Sequence, residues 1–224
     1  MKKFIIFALG ALLMSSCAQQ ITRGEQYSKM YEEKPLTIVV MAPINKTNHP
    51  EAKDYFYTAL YQPLCEKGYY VFSPNMTMEL LQSESAYDSE MFIDGSLTKF
   101  ANVLGADACL FTTIKSWKRN NVGGKITVDI EYELKSTKTG DTLYKREGNI
   151  KLDTSVSSGG GGIFGLVANA VATAINTAAT DKVKAGQACS AFVLSDMPAG
   201  KYDKQYGKDT KTPAGKSFIK ATVK

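Results

Sequence analysis

The sequence predicts an α/β fold: a mixed sheet that starts as a parallel strand–helix–strand unit, continues as an antiparallel hairpin region and closes with C-terminal helices. Three observations carry this. Leu36 to Ala42 is apolar and β-branched almost throughout, the pattern of a strand covered on both faces. A helical pattern from Glu51 to Lys67 separates it from the next strand-like run, Tyr69 to Ser73, and a crossover of that length joins parallel strands with right-handed topology. Further on, Ile126, Val128, Ile130, Tyr132 and Leu134 alternate with Thr127, Asp129, Glu131, Glu133 and Lys135, an unbroken period of two.

Ahead of the first strand, Lys2 and Lys3 precede the apolar run Phe4 to Met14, and Ser15-Ser16-Cys17 follows. This is the order of a lipoprotein signal peptide over residues 1–16, cut before Cys17, which then carries acyl chains of the palmitate type. Met14 and Ser16 depart from the residues most common at those places. The apolar run is eleven residues, against about 20 for a spanning helix, which disfavours a retained transmembrane anchor. The remaining 208 residues suffice for one domain. Residues 17–35 are polar and read as a tether, residues 36–200 as a single α/β domain, and residues 201–224 as a basic tail.

Within the domain, Pro43 ends the first strand and Asn45 to Pro50 turns the chain, with Pro50 suited to a first helical turn. The helix over Glu51 to Lys67 presents Tyr55, Phe56, Ala59, Leu60 and Leu64 on one face and stops at Gly68. Pro63 inside it predicts a kink, because an interior proline removes a hydrogen bond. Asn75 opens a short helix through Gln82. After a polar stretch from Ser83 to Glu90, Leu97, Phe100, Ala101 and Leu104 mark another helix over Ser96 to Leu104, closed by Gly105. Ala108 to Trp117 reads as a strand that turns at Asn120 to Gly124 into the alternating one. Thr139-Gly140-Asp141 turns the chain again, and Thr142 to Asp153 returns as a more polar strand suited to a sheet edge. Ser157 to Gly162 is a glycine-rich hinge. Residues 163–180 carry no charge and many alanines; they suit a helix packed on the sheet or a detachable segment for oligomer or lipid contact. A last helix covers residues 181–194, and compact structure is expected to end at Met197 to Gly200.

The formal charge of +5 falls to +3 without Lys2 and Lys3, and the surplus is concentrated at the end. Lys201, Lys204, Lys208, Lys211, Lys216, Lys220 and Lys224 face only Asp203 and Asp209 there. Such a tail is a solvated end or a contact for anionic headgroups, cell-wall polymer or an acidic partner. Nothing interleaves aromatic and basic residues as a nucleic-acid site would. Besides Cys17 there are Cys65, Cys109 and Cys189, an odd three that allow one disulfide at most and read as packing residues. With His49 the sole histidine and no Cys-x-x-Cys, the sequence offers no metal or cofactor site. His49 with Cys65 is the one Cys/His combination, and no third group presents itself to orient the base. Asp129, Glu131 and Glu133 read as the wet side of a strand. The glycines at 159–162 lack the Lys-Ser/Thr of a phosphate loop. No catalytic residue is predicted; Cys17 is the one modification site.

Met41-Ala42-Pro43-Ile44-Asn45-Lys46-Thr47, Asp54-Tyr55-Phe56, Pro63-Leu64-Cys65-Glu66-Lys67-Gly68-Tyr69-Tyr70-Val71-Phe72, Leu104-Gly105-Ala106-Asp107-Ala108, Ile114-Lys115-Ser116-Trp117 and Met197-Pro198-Ala199-Gly200-Lys201-Tyr202 together resemble the bacterial lipoprotein family known as domain of unknown function 799. The resemblance spans about residues 17–206. It implies a three-layer α/β arrangement similar to the TolB N-terminal domain and to the periplasmic domain of curli secretion channel lipoproteins. It also implies a periplasm-facing outer-membrane lipoprotein associated with other envelope lipoproteins of the curli-channel type, acylated at Cys17 and without established catalytic residues. The function predicted is a non-enzymatic accessory subunit of an envelope export or transport assembly. The alternatives are a homo-oligomeric, membrane-inserting pore built on residues 159–180, and an envelope hydrolase dependent on Cys65.

Overall fold

The computed structural model describes residues 20–85, 87–120, 125–153 and 178–223. The signal peptide, Cys17, the hinge at 157–162 and residues 163–177 lie outside them. Seven strands make one mixed sheet: β1 (Thr37–Val40), β2 (Ile44–Asn45), β3 (Tyr70–Val71), β4 (Ala108–Asn120), β5 (Lys125–Ser136), β6 (Thr142–Asp153) and β7 (Phe218–Val223). Their order is β3-β1-β4-β5-β6-β7, with β2 also on β4. β1 runs parallel to β3 and β4, β4 to β6 form an antiparallel meander, and β7 is parallel to β6. The helices are α1 (Arg23–Gln26), α2 (Ser28–Glu33), α3 (Ala52–Ala59), α4 (Tyr61–Glu66), α5 (Pro74–Ser83), α6 (Glu90–Ile93), α7 (Thr98–Leu104) and α8 (Ala178–Val193), which runs into a 3-10 turn at Leu194–Asp196.

The continuous apolar character of β1 follows from cover on both faces. Ile38 and Val40 join Phe56, Leu60 and Leu64 in one core, while Val39 and Met41 join Leu81, Leu97 and Phe100 in another. The start of β4 is shared in the same way: Ala108 and Leu110 face the first core, Cys109 and Phe111 the second. From there, among the described residues, helices cover the sheet on one side only. Residues 126, 128, 130, 132 and 134 of β5 are buried with Ala185, Cys189 and Val193 of α8, and the intervening residues are half-buried on the other face. The described residues therefore make three layers at β1 and two at β5 and β6.

Asp107 fixes the entry to β1. Its Oδ2 accepts from the backbone N–H groups of Leu36 and Thr37, both at 2.9 Å, and from Thr37 Oγ1 at 2.9 Å. Gly105, with φ +67°, closes α7 just before it. Further along β4, register with β5 slips between Ile114 and Ser116. One extra residue at Lys115 changes the parity of the strand, so Ile114 and Trp117, three apart, both face the same core. Pro63 breaks the helix that the periodicity predicts as one kinked rod. α3 ends at Ala59, and Pro63 sits in the first turn of α4, where its missing N–H has no intrahelical partner to lose.

The two ends of the chain depart most from expectation. The region read as a tether folds from Thr22: α1 and α2 pack on the domain and bury Tyr27 and Met30. The domain does not stop at Gly200 either. Gly200 N–H donates to Lys67 O at 2.7 Å and Tyr202 N–H to Gly68 O at 2.9 Å. This is a backbone-on-backbone contact in which a Cβ on residue 200 would stand 2.5 Å from the Gly68 oxygen. The basic tail then delivers β7, so β6, expected at the edge, is an interior strand. The reason is the alternation in Phe218-Ile219-Lys220-Ala221-Thr222: Ile219 and Ala221 pack against the core while the others point outward.

Ending the chain at Lys216 should strip β7 and open the β6 edge. Amide exchange in Glu147–Leu152 then rises by roughly tenfold or more, whereas Ile126–Leu134 keep their protection, as measured by mass spectrometry.

Candidate functional site

Charged residues far apart in sequence meet where α1, α2, the end of α8 and the segment 195–217 converge. Arg146 lies on the inward face of β6, at a position where strand period calls for an apolar residue, and is 5% exposed. The last carbonyls of α8 have no intrahelical partners, and Arg146 supplies them. Its Nη1 donates to Val193 O at 3.2 Å, to Phe192 O at 3.3 Å and to Ser195 Oγ at 3.1 Å, and its Nε donates to Lys216 O at 2.8 Å. The neighbouring Tyr144 hydroxyl also donates to Val193 O. A cation here complements the negative end of the helix dipole.

Asp196, just beyond α8, is the anionic counterpart. Its Oδ1 accepts from Arg23 Nε at 3.1 Å, and its Oδ2 accepts from the Tyr27 hydroxyl at 2.6 Å and from Gly215 N–H at 2.7 Å. Gly215 allows a close approach, since a Cβ there would sit 2.3 Å from Arg146 Nη2 and displace the guanidinium. Asp209 extends the cluster, accepting from Ala199 N–H at 2.8 Å and from Arg23 Nη1 at 3.4 Å. Burial first, then the Asp196 carboxylate, push the Tyr27 phenol far above its ordinary value, so it remains a donor. Lys67 is lowered, mainly by burial and next by Arg23, while donating to Ser195 O at 2.6 Å.

Beside this hub a cleft of about 110 Å³ opens between Met30, Tyr31, Pro35, Tyr69, Pro198 and Tyr206. Tyr69 Oη donates to Pro198 O at 2.8 Å. Burial, followed by the Asp209 carboxylate, raises the Tyr31 phenol. The walls are largely apolar and the volume suits one side chain or a small ring. Among the described residues no group of three His, Cys, Asp or Glu side chains could hold a metal ion.

The sheet face opposite α8 carries a second arrangement. Lys115 pairs with Glu131 at 2.7 Å and Glu147 at 2.9 Å, and Lys145 pairs with Glu131 and Glu133, both at 2.9 Å. The bulge that turns Trp117 inward leaves Lys115 pointing out into this ladder. Asn149 donates to Asp129 beside it. Partial burial pushes the Glu131 carboxyl up, but hydrogen bonds from Lys115 and Lys145 outweigh it and hold the carboxyl below its ordinary value. The three acids of β5 are thus engaged across strands, which suits electrostatic cross-bracing and not acid–base chemistry.

Of the residues singled out from sequence, Cys17 lies outside the described region. His49 Nδ1 faces Glu51 Oε1 at 3.8 Å, and Cys65 lies beside Tyr61 in α4. Cys65, Cys109 and Cys189 are free thiols, and burial raises the last two well above the usual range. Sequence reasoning passed over the hub. One signal was available: Thr22-x-x-Glu25 is a capping box, with Thr22 N–H donating to Glu25 Oε2 at 2.8 Å. The inward setting of Arg146 also follows once Tyr144 and Ile150 are assigned to the core side of β6.

Asp196→Ala leaves Arg23, Tyr27 and the Gly215 N–H without their shared acceptor, and urea unfolding should show a loss of about 3–5 kcal/mol. The lowered Glu131 carboxyl predicts a pH effect. Its contribution is fully present above the unfolded-state value near 4.3 and is lost as pH falls through the folded value. Melting temperature should therefore drop in acid, and Glu131→Gln should flatten that part of the profile.

A family model described as "Putative lipoprotein GNA1162-like" matches residues 25–201. The protein named "Putative lipoprotein NMB1124/NMB1162" of Neisseria meningitidis serogroup B is 24% identical over 184 residues, covering 81% of this chain and 85% of that one. The crystal structure of lipoprotein GNA1162 from Neisseria meningitidis superposes with a TM-score of 0.51 at 22% identity, over 62% of this chain and 96% of that one, and shares the fold. A PelC dodecamer structure from Paraburkholderia phytofirmans gives a TM-score of 0.45 at 16% identity, over 73% and 88% of the two chains.

Proposed function

This chain belongs to the GNA1162-like lipoprotein family, and from that premise we propose that it is an outer-membrane protein anchored by acyl chains on Cys17. It faces the periplasm as a non-enzymatic accessory subunit of an envelope export or transport assembly, in company with other lipoproteins of the curli-channel type. The observation that carries the reading is the conjunction of a lipoprotein family with the leader Lys2-Lys3, Phe4 to Met14 and Ser15-Ser16-Cys17. Anchoring by lipid suits a domain in which, among the described residues, no helix is long and apolar enough to cross a membrane. An accessory role is supported by how the ionisable groups are used. Arg23, Arg146, Asp196 and Asp209 hold chain segments together, and the acids of β5 are bound to lysines or to Asn149. Each is committed to a structural contact.

The mature N-terminal peptide should carry the mass of an acylated cysteine, and Cys17→Ala should move the protein out of the outer-membrane fraction. Affinity capture from detergent-solubilised membranes should bring down other envelope lipoproteins. Recovery of this chain alone at stoichiometric yield rejects the accessory role, and an unmodified Cys17 rejects the anchor.

A further inference from the structure

The lysines after residue 200 fold back against the beginning of the chain. Ile21 O accepts from Ala214 N–H at 2.8 Å, Thr22 bridges Pro213, Arg23 N–H donates to Thr212 O at 2.8 Å and Gly24 N–H to Thr210 O at 2.9 Å. Lys208, Lys211 and Lys216 therefore flank the strip on which residues 21–24 lie, with Lys201 and Lys204 in the turns just before it. All five are exposed, and among the described residues none of the five is ion-paired. Of the acids in the same segment, Asp209 is buried and matched by Arg23, which leaves Asp203 alone against five lysines. Ile21 and Tyr202, 56% and 67% exposed, add apolar surface.

Cys17 stands three residues before Gln20. Three residues reach about 10 Å at most, comparable with the 8 Å Debye length of physiological salt. A lipid on Cys17 thus holds the strip within electrostatic range of the headgroups, where a tether of eighteen residues would not.

We propose that the basic strip 201–216 is a membrane-contact surface that binds anionic phospholipid headgroups and acts together with the acyl anchor. The inference rests on acylation of Cys17 for its geometry, while its chemistry belongs to the lysines. Acyl chains supply hydrophobic partitioning, and a polybasic patch beside them supplies a second attraction and fixes the orientation of the domain.

The test uses the full chain isolated from cell membranes, placed on vesicles of phosphatidylcholine alone or of phosphatidylcholine with phosphatidylglycerol. Amide exchange in residues 201–216 should slow by roughly fivefold or more on the anionic vesicles, in keeping with the contribution of a single lysine at such a surface. High salt should abolish the effect. So should the combined Lys204→Gln, Lys208→Gln and Lys211→Gln substitutions, which alter exposed side chains and leave exchange in Ile126–Leu134 unchanged. Equal exchange on both vesicles, or protection that survives the substitutions, overturns the proposal. Protection found in native membranes yet missing on protein-free anionic vesicles assigns the strip to an acidic protein and overturns it equally. The mass of the N-terminal peptide from the same sample separates the two claims. Unmodified Cys17 with anionic-lipid protection sinks the anchor and retains the strip; acylated Cys17 without such protection sinks the strip alone.

Discussion

One buried carboxylate joins what the sequence keeps farthest apart. Asp196 takes its hydrogen bonds from α1, from the Tyr27 hydroxyl and from the loop that leads into β7, and Arg146 beside it closes the end of α8. Ion pairs withdrawn from water seldom add stability over well-packed apolar groups, and what they supply is definition of who sits next to whom. Here they define where three segments meet. The effect extends into the sheet: Arg146 Nε holds Lys216 O, and one residue on, Glu147 N–H holds Ser217 O at 2.8 Å. The first backbone bond of the β6–β7 pair is thereby placed, and the register of the last strand follows.

The hub also binds the part of the chain matched by the family to the part beyond it. Arg23 and residues 209–216 stand outside the matched residues 25–201, while Tyr27, Arg146 and Asp196 stand within. An apolar seam could slide; a set of directional bonds to one carboxylate cannot slide without leaving donors bare in a dry interior. The open face of the sheet works differently. Its lysine–glutamate ladder is partly wet and screened, so each rung contributes little, and its value lies in linking β4, β5 and β6 on the side opposite α8.

Much of the fold could be read from residue order because the core obeys simple periods. β5 shows this best: every second residue from Ile126 to Leu134 is buried, and the crossover between β1 and β3 is parallel as its length requires. What escaped did so for physical reasons. Lys115 and Trp117 share parity on paper, and only a bulge separates them, a device with no composition of its own. Residues 20–34 look too polar to pack, yet two inward residues, Tyr27 and Met30, suffice for helices this short. The lysines of the C-terminal segment hid a strand, because Ile219 and Ala221 make a short alternation among many charges. The hub was least legible: buried arginine and aspartate are recognised by their partners, and those partners are more than a hundred residues away in the case of Arg23 and Asp196.

The pairing of residues 21–24 with 210–214 has a mechanical consequence. If the chain hangs from an acylated Cys17, as proposed, a pull on its far side loads the N-terminal end, and among the described residues that load reaches the strip at Ile21. The strip would yield like a zipper, one backbone bond after another, starting with Ala214 N–H on Ile21 O. Such tension would meet the partly buried Arg23–Asp196 pair before it reached any strand, which shields the central sheet from a pull at the N-terminal end.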